Sequence, residues 1–343
     1  MWTMFDDLIA QRGLPVYSES SPDVIPCVPC EGSGSGRVLS MWDTLEALEV
    51  EGVHRVPVKD KRVYVGSTAF HGVGVAVKLI PMYTTAAALD AKVLAAGSEL
   101  VSAGKSRHFP KLYCKLVVMD HGDLCAALVM ERFDQTLEEY LKECIRLEKW
   151  NCMYDTVVQA MVALAHGQTL LGLVHNDMSL GNFMVKLEPT SFQFRTPRFA
   201  ALHMNAEARV ALLDFGRATM GQVFGVNELG ERAGDWSRPR SVGARAGVGA
   251  RAGVSRESLS LDVQTFSNKL LDFLPEEWTS DEGTIPEAMR DFMAILKEGQ
   301  DMTITAPHEW FFHERLAPRY VGGHGRPILP HETIVDTLPP STS

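Results

Sequence analysis

Several features are missing from this sequence, and each absence removes a class of protein. There is no secretory leader: Met1–Ala10 mixes apolar and acidic residues, so no signal peptide is expected. No apolar run approaches the roughly 20 residues that cross a bilayer, and no membrane partner is expected. Cysteine is scarce, with six in 343 residues. They are scattered rather than framed at disulfide spacing, which predicts reduced thiols and an intracellular location, cytoplasm or nucleus. A basic excess is missing too. The net charge of −10 argues against a general nucleic-acid surface, and no direct nucleic-acid partner is expected.

What is present begins with apolar content, 45%, enough for a sizeable core in one two-lobed domain or two ordinary ones. The sharpest signals are two stretches. LVHNDMSLGNFMV carries His175, Asn176, Asp177 and Asn182 between apolar flanks; VALLDFGRA is an apolar run ending in Asp214-Phe215-Gly216. Read as strand ends, they present Asp177, Asn182 and Asp214. Such groups can divide the work of phosphoryl transfer. One carboxylate orients and deprotonates a hydroxyl, while an amide and a second carboxylate hold Mg²⁺ on the phosphates through hard oxygen ligands.

These stretches resemble the catalytic and magnesium loops of the eukaryotic-type protein kinase superfamily, H-R-D-x-x-x-x-N followed by D-F-G. The resemblance implies an α+β, two-lobed protein-kinase-like fold: a small, mostly β N-lobe with one helix and a larger, mostly α C-lobe. It divides the chain into an extension (1–20), N-lobe (21–131), C-lobe (132–320) and loose tail (321–343). ATP and Mg²⁺ are the implied cofactors. Asp177 is the implied base, with Asn182 and Asp214 as metal ligands. The β-branched strand Val73–Lys78 resembles the kinase V-A-I-K strand, which makes Lys78 the phosphate-pairing lysine and Ala76 part of the adenine pocket. The family holds that lysine with a helical glutamate. Thr84–Gly104 is helix-like, and Glu99 is its only Glu, hence the candidate. Strands over Lys111–Asp120 and Leu124–Met130 meet at His121-Gly122-Asp123. Met130 then falls at the back of the pocket, and the backbone of Glu131–Phe133 is assigned the adenine contacts.

Where the phosphates are cradled has two readings. In the first, Val24–Val28 is a strand and Gly32-Ser33-Gly34-Ser35-Gly36 is a phosphate loop, with Val38 covering the adenine; the loop is one residue shorter than the family's. In the second, GSGSG is a linker. Val53–Val58 and Arg62–Val65 are then the first hairpin, with a glycine-free turn at Lys59-Asp60-Lys61. Cys27-Val28-Pro29-Cys30 resembles half a zinc site, but zinc needs about four ligands and the chain has no second CxxC. Ordinary thiols are the expectation.

Further along, helices are predicted over Leu137–Ile145, Tyr154–Leu171, Ser258–Phe273 and Ile285–Leu296. Asp262 resembles the family aspartate that braces the catalytic-loop backbone. Glu188–Glu207 is an insertion with interleaved arginines and phenylalanines, read as a loop packing its own aromatics. Residues 237–256 contain the repeat VGARAGVGARAGV and five arginines without an acid. Gly, Ala and Arg in repeat bury little, so a mobile loop is expected. It either recruits acidic protein substrates or is a low-complexity insertion. Ala306–Leu316 is aromatic-rich.

The departures from the family are specific. No A-P-E triplet is present; Ser179 stands where Ser/Thr kinases carry a lysine; Asn176 replaces an arginine. The missing A-P-E and the insertion before Asp214 resemble haspin-like kinases and compact protein kinases of large DNA viruses. Three functions compete: a protein kinase acting on Ser/Thr hydroxyls, a small-molecule phosphotransferase of the aminoglycoside- or choline-kinase type, and a pseudokinase binding module. The D-F-G triplet and the V-A-V-K strand favour the first. Because the neutral Asn176 cannot make a charge-assisted pair with a phosphoresidue, activity should not depend on phosphorylation of the segment after Gly216. Phosphatase treatment should leave turnover unchanged, and abolished turnover would refute this.

Overall fold

The computed structural model describes residues 7, 9–12, 16, 38–57, 61–69, 72–196, 199–220, 256–279, 285–286 and 289–299. Gly32, Gly34, Gly36, the Cys27–Cys30 pair, most of the 237–256 repeat and Ala306–Leu316 lie outside these. The architecture is α+β, with antiparallel sheets and several helices. The chain divides into two compact units: residues 1–99, 110–133 and 214–217, and residues 100–109, 134–213 and 218–343.

The first unit is built on a five-stranded sheet. Its strands are β1 (Val50–Val56), β2 (Arg62–Thr68), β3 (Gly74–Pro81), β4 (Leu112–Asp120) and β5 (Asp123–Glu131), in the order β1-β2-β3-β5-β4. The two-residue alternation of Val75, Val77 and Leu79 puts these side chains on one face. There they join Leu116, Val118, Ala127 and Val129, and also Met41 and Leu45 of helix α1 (Met41–Ala47), in one buried cluster. Each of the Val, Leu and Met side chains contributes about 1.5–3 kcal/mol by leaving water. Helix α1 starts at Ser40, whose hydroxyl accepts the Asp43 N–H at 3.1 Å. The β4–β5 hairpin turns at His121 (φ 50°) and Gly122 (φ 88°), the paired positive angles of a tight hairpin turn.

This sheet decides between the two readings of the first hairpin. Strand β1 pairs with β2, and β2 pairs with β3 from Arg62–Leu79 to Ser67–Gly74. The hairpin beside β3 is therefore the glycine-free one. Val38, expected to cover an adenine from a strand, is not in this sheet's first hairpin. It precedes α1, and its neighbours Leu39 and Ser40 contact Met119 on the opposite edge strand, β4. The reason is local: the capping serine at 40 starts a helix where the first reading needs a strand.

The second unit gathers short strands around a long helix. Helix α2 (Thr85–Ser102) begins in the first unit; α3 (Leu137–Arg146), α4 (Trp150–Leu171) and α5 (Arg256–Phe273) follow, then α6 (Glu276–Thr279) and α7 (Arg290–Gly299). Helix α3 opens on a capping box: Thr136 and Glu139 satisfy each other's backbone N–H groups. Helix α4 is almost wholly buried and ends at Gly172, whose φ of 60° suits a left-handed cap. Strands β6 (Gln135–Thr136), β8 (Phe183–Lys186) and β11 (Arg209–Leu212) form a sheet, and β7 (Leu173–Val174) pairs with β12 (Thr219–Met220). The insertion before Asp214 is not a loop. It forms an antiparallel hairpin of β9 (Thr190–Thr196) and β10 (Phe199–Ala206). The alternation Phe192-Gln193-Phe194-Arg195 has the two-residue period of a strand. No helix among the described residues is long and apolar enough to cross a membrane.

His108 and His166 are buried in this unit. The His108 Nδ1–H donates to the Val210 carbonyl (2.9 Å), and His166 Nδ1 meets the Ser106 hydroxyl (2.9 Å). Burial pushes His108 from 6.5 down to about 4; the Val210 hydrogen bond opposes this, and Arg209 and Arg107 reinforce it. A base whose folded pKa is depressed contributes stability above its unfolded pKa and loses it as pH falls toward the folded value. The unfolding free energy of the wild type relative to His108→Gln should therefore shrink by about 2 kcal/mol between pH 7.5 and pH 5. Denaturant titrations at both pH values measure this, and an unchanged difference would contradict it.

Candidate functional site

Within the first unit, the sheet face opposite the α1 cluster carries the polar site. By strand register, Val65, Ala76 and Met130 lie side by side, and Val63, Lys78 and Leu128 form the next row. Ala76 and Met130 are thus neighbours. Val63 and Val65 were not singled out, although the V-Y-V alternation of β2 was the available signal.

Lys78 is the centre of this face. Its ammonium contacts the Asp90 carboxylate directly and Asp214 Oδ1 at 2.6 Å. Burial works against its charge, but the two carboxylates outweigh it and raise the pKa. The carboxylate expected to hold Lys78 was Glu99, and the structure corrects this to Asp90. Both residues are on α2, but nine residues at 100° per residue put them on opposite faces and about 13 Å apart along the axis. Asp90 is buried, whereas Glu99 is exposed and borders a surface hollow with Val16 and Lys115. The shorter acid, nearer the start of α2, is the one that faces Lys78. Asp90 also accepts the Phe215 N–H through Oδ1 at 3.0 Å. One carboxylate therefore fixes both the lysine of β3 and the backbone of the D-F-G triplet.

Asp214 stands in the left-handed region at φ 63°, a conformation that Asp tolerates better than most residues. Its two oxygens are both engaged: Oδ1 by Lys78, and Oδ2 by Lys61 at 2.5 Å. Burial pushes its pKa up, but the two ammonium groups overcome this and hold it at about 2.

The expected adenine-binding backbone is partly committed. The Glu131 N–H donates to the Lys111 carbonyl at 2.8 Å, and the Arg132 N–H donates to the Gly74 carbonyl at 3.2 Å. Both bonds extend the ladders of β5, which is why these amides are taken. Phe133 is buried.

The second unit holds the other stretch. His175 is buried, and its Nε2–H donates to the Leu213 carbonyl at 2.9 Å. Asp262 on α5 accepts the His175 N–H (2.7 Å) and the Asn176 N–H (3.0 Å), bracing the loop backbone. Burial raises the Asp262 pKa despite those two N–H donors. Asn176 sits at φ 61°, and its amide donates to the Thr219 hydroxyl at 3.0 Å. This side chain ties the loop to β12. Asp177 is half-buried. Asn182 donates through Nδ2 to the Asp177 carbonyl at 2.7 Å. With the nitrogen so used, the amide oxygen is the atom left to act as a ligand.

The donors at Asn182 and Asp214 suit Mg²⁺ in kind: both are hard oxygens, and Mg²⁺ commonly takes one or two protein ligands with phosphates and water supplying the rest. No group of three or more His, Cys, Asp or Glu side chains able to hold a metal occurs among the described residues. The described cysteines, Cys114, Cys125, Cys144 and Cys152, are free thiols. No known protein-family model matches the chain, and no curated protein matches it in sequence.

The Asp90 assignment is testable on stability alone. Asp90→Ala strands a buried ammonium and a buried N–H and should cost about 3 kcal/mol. Glu99→Gln should fall within about 0.5 kcal/mol of wild type. Equal unfolding midpoints for the two variants would refute the assignment.

Proposed function

We propose that this chain is a protein kinase that transfers the γ-phosphate of ATP to Ser or Thr hydroxyls of protein substrates, and that its fold is the two-lobed kinase type. The single observation that carries the reading is the Asp90–Lys78–Asp214 network. A lysine on the third strand, a helical acid and the aspartate of a D-F-G triplet lie far apart in sequence and meet within one unit. A purely structural role explains a buried ion pair. It does not explain why the lysine serves two carboxylates, one of them in a left-handed backbone conformation.

The residue roles follow from the chemistry. Asp177 accepts the proton of the attacking hydroxyl. Lys78, held by Asp90, orients the α- and β-phosphates. Val63, Val65, Ala76 and Met130 offer an apolar surface for adenine. Asn182 and Asp214 each offer a hard oxygen to Mg²⁺, which supplies neutralisation of phosphate charge when bound. Arginine-rich residues 237–256 favour acidic segments in the protein substrate. The brace from Asp262 holds the His175–Asp177 backbone in place before substrate arrives, so less ordering remains to be done on binding.

The test is label transfer from γ-labelled ATP with Mg²⁺ to a mixed panel of proteins and aminoglycosides. Label should enter protein on Ser or Thr. Asp177→Ala should lower the rate by roughly 10²–10⁴-fold, and Asp214→Ala should abolish it. Label entering only the small molecules would assign the chain to the aminoglycoside- or choline-kinase type, and binding of ATP without transfer would leave a pseudokinase.

A further inference from the structure

Lys61 brings a second cation to Asp214. It immediately precedes β2, and the β2–β3 register places Val63 opposite Lys78. Residues two apart on a strand share a face, so Lys61 and Lys78 point to the same side of the sheet. Their ammonium groups take one oxygen each of the Asp214 carboxylate. The two lysines differ in access: the Lys61 side chain is 36% exposed and that of Lys78 15%. Lys78 is further anchored by Asp90, whereas Asp214 is the only acid within ion-pair distance of Lys61 among the described residues.

The sequence between β1 and β2 reads Pro57-Val58-Lys59-Asp60-Lys61. A glycine loop cradles phosphates with backbone N–H groups that approach closely because no Cβ intervenes. This stretch has no glycine, and Pro57 has no N–H to give. What its described end offers is the side-chain charge of Lys61. The chain also lacks a lysine at Ser179, where the family supplies one to the γ-phosphate.

We infer that Lys61 is a second phosphate-binding cation, which grips the terminal phosphates of a nucleoside triphosphate and, when no nucleotide is bound, caps Asp214 in place of a metal ion. The inference rests on the kinase reading above. Its consequence is a coupling. A divalent cation and Lys61 compete for the same carboxylate oxygen, so nucleotide, by drawing Lys61 to its phosphates, opens Asp214 to the metal. No bond is made or broken; one ion pair is exchanged for two.

The coupling has a signature that a structural lysine would not produce. In Lys61→Met, nucleotide affinity and metal affinity should move in opposite directions. Binding of a fluorescent ATP analogue in EDTA should weaken roughly 10- to 100-fold, as expected for one lost charge-assisted contact. Binding of Mn²⁺ alone, followed by electron paramagnetic resonance, should tighten, because the competing ammonium is gone. Lys61→Arg should restore nucleotide affinity. Circular dichroism identifies any variant that fails to fold, and Lys61→Gln, which also removes the charge, then carries both arms of the test. If wild type binds nucleotide and the variants that remove the charge match it in both titrations, Lys61 has no such role while the kinase reading stands. If wild type binds no nucleotide, both fall.

Discussion

The first unit depends on one buried carboxylate. Asp90 neutralises Lys78, and without it a nearly buried ammonium would face Asp214 alone. The same carboxylate holds the Phe215 amide, so the backbone conformation that turns Asp214 into the left-handed region is anchored from a helix. An unpaired buried charge costs several kcal/mol, and a paired one roughly breaks even against an apolar replacement. Such a network therefore adds little to stability in sum. What it contributes is position: three charged groups from β3, α2 and the D-F-G segment are fixed relative to one another before any ligand arrives.

The second unit solves a parallel problem by other means. Its loop from His175 to Asn182 has few regular backbone partners, and side chains replace them. Asp262 takes two consecutive N–H groups, the His175 ring takes the Leu213 carbonyl, and Asn182 takes the Asp177 carbonyl. Each bond is modest, about 1 kcal/mol net. Their convergence leaves the loop backbone few alternatives, which the side chain of Asp177 requires if it is to meet a hydroxyl in one orientation. Asn176 ties the loop to Thr219.

Which parts of this were legible in the sequence follows from how local each feature is. Lys78, Asp177, Asn182 and Asp214 sit in short motifs whose order and spacing survive without a structure. Asp262 was visible because an acid stands before an apolar helical face. Asp90 was not, because the choice was made by residue type and not by helical phase; the shorter acid reaches Lys78 from a position one helix face away from Glu99. The β1–β2 hairpin stayed ambiguous for a different reason. Its register against β3 is a pairing of residues distant in sequence, and the glycines of residues 32–36 imitate a turn whose true counterpart has none. The β9–β10 hairpin was hidden by treating aromatic residues as loop packing when their alternation already carried a strand period.

The same non-locality accounts for Lys61. Nothing in Lys59-Asp60-Lys61 separates a solvated turn from a ligand-binding one, and most surface lysines contribute little. The β2–β3 register makes the difference, because it sets Lys61 and Lys78 on one face above a common carboxylate. Two cations on one acid leave a single positive charge, and Asp90, which pairs with Lys78, balances it. That arrangement is poor as a static structural device, since the second lysine gains little where the first has already been satisfied. It is well suited to a transient anion: a polyphosphate arriving at this face meets a lysine whose present partner is already shared, and which can therefore be drawn away at small cost.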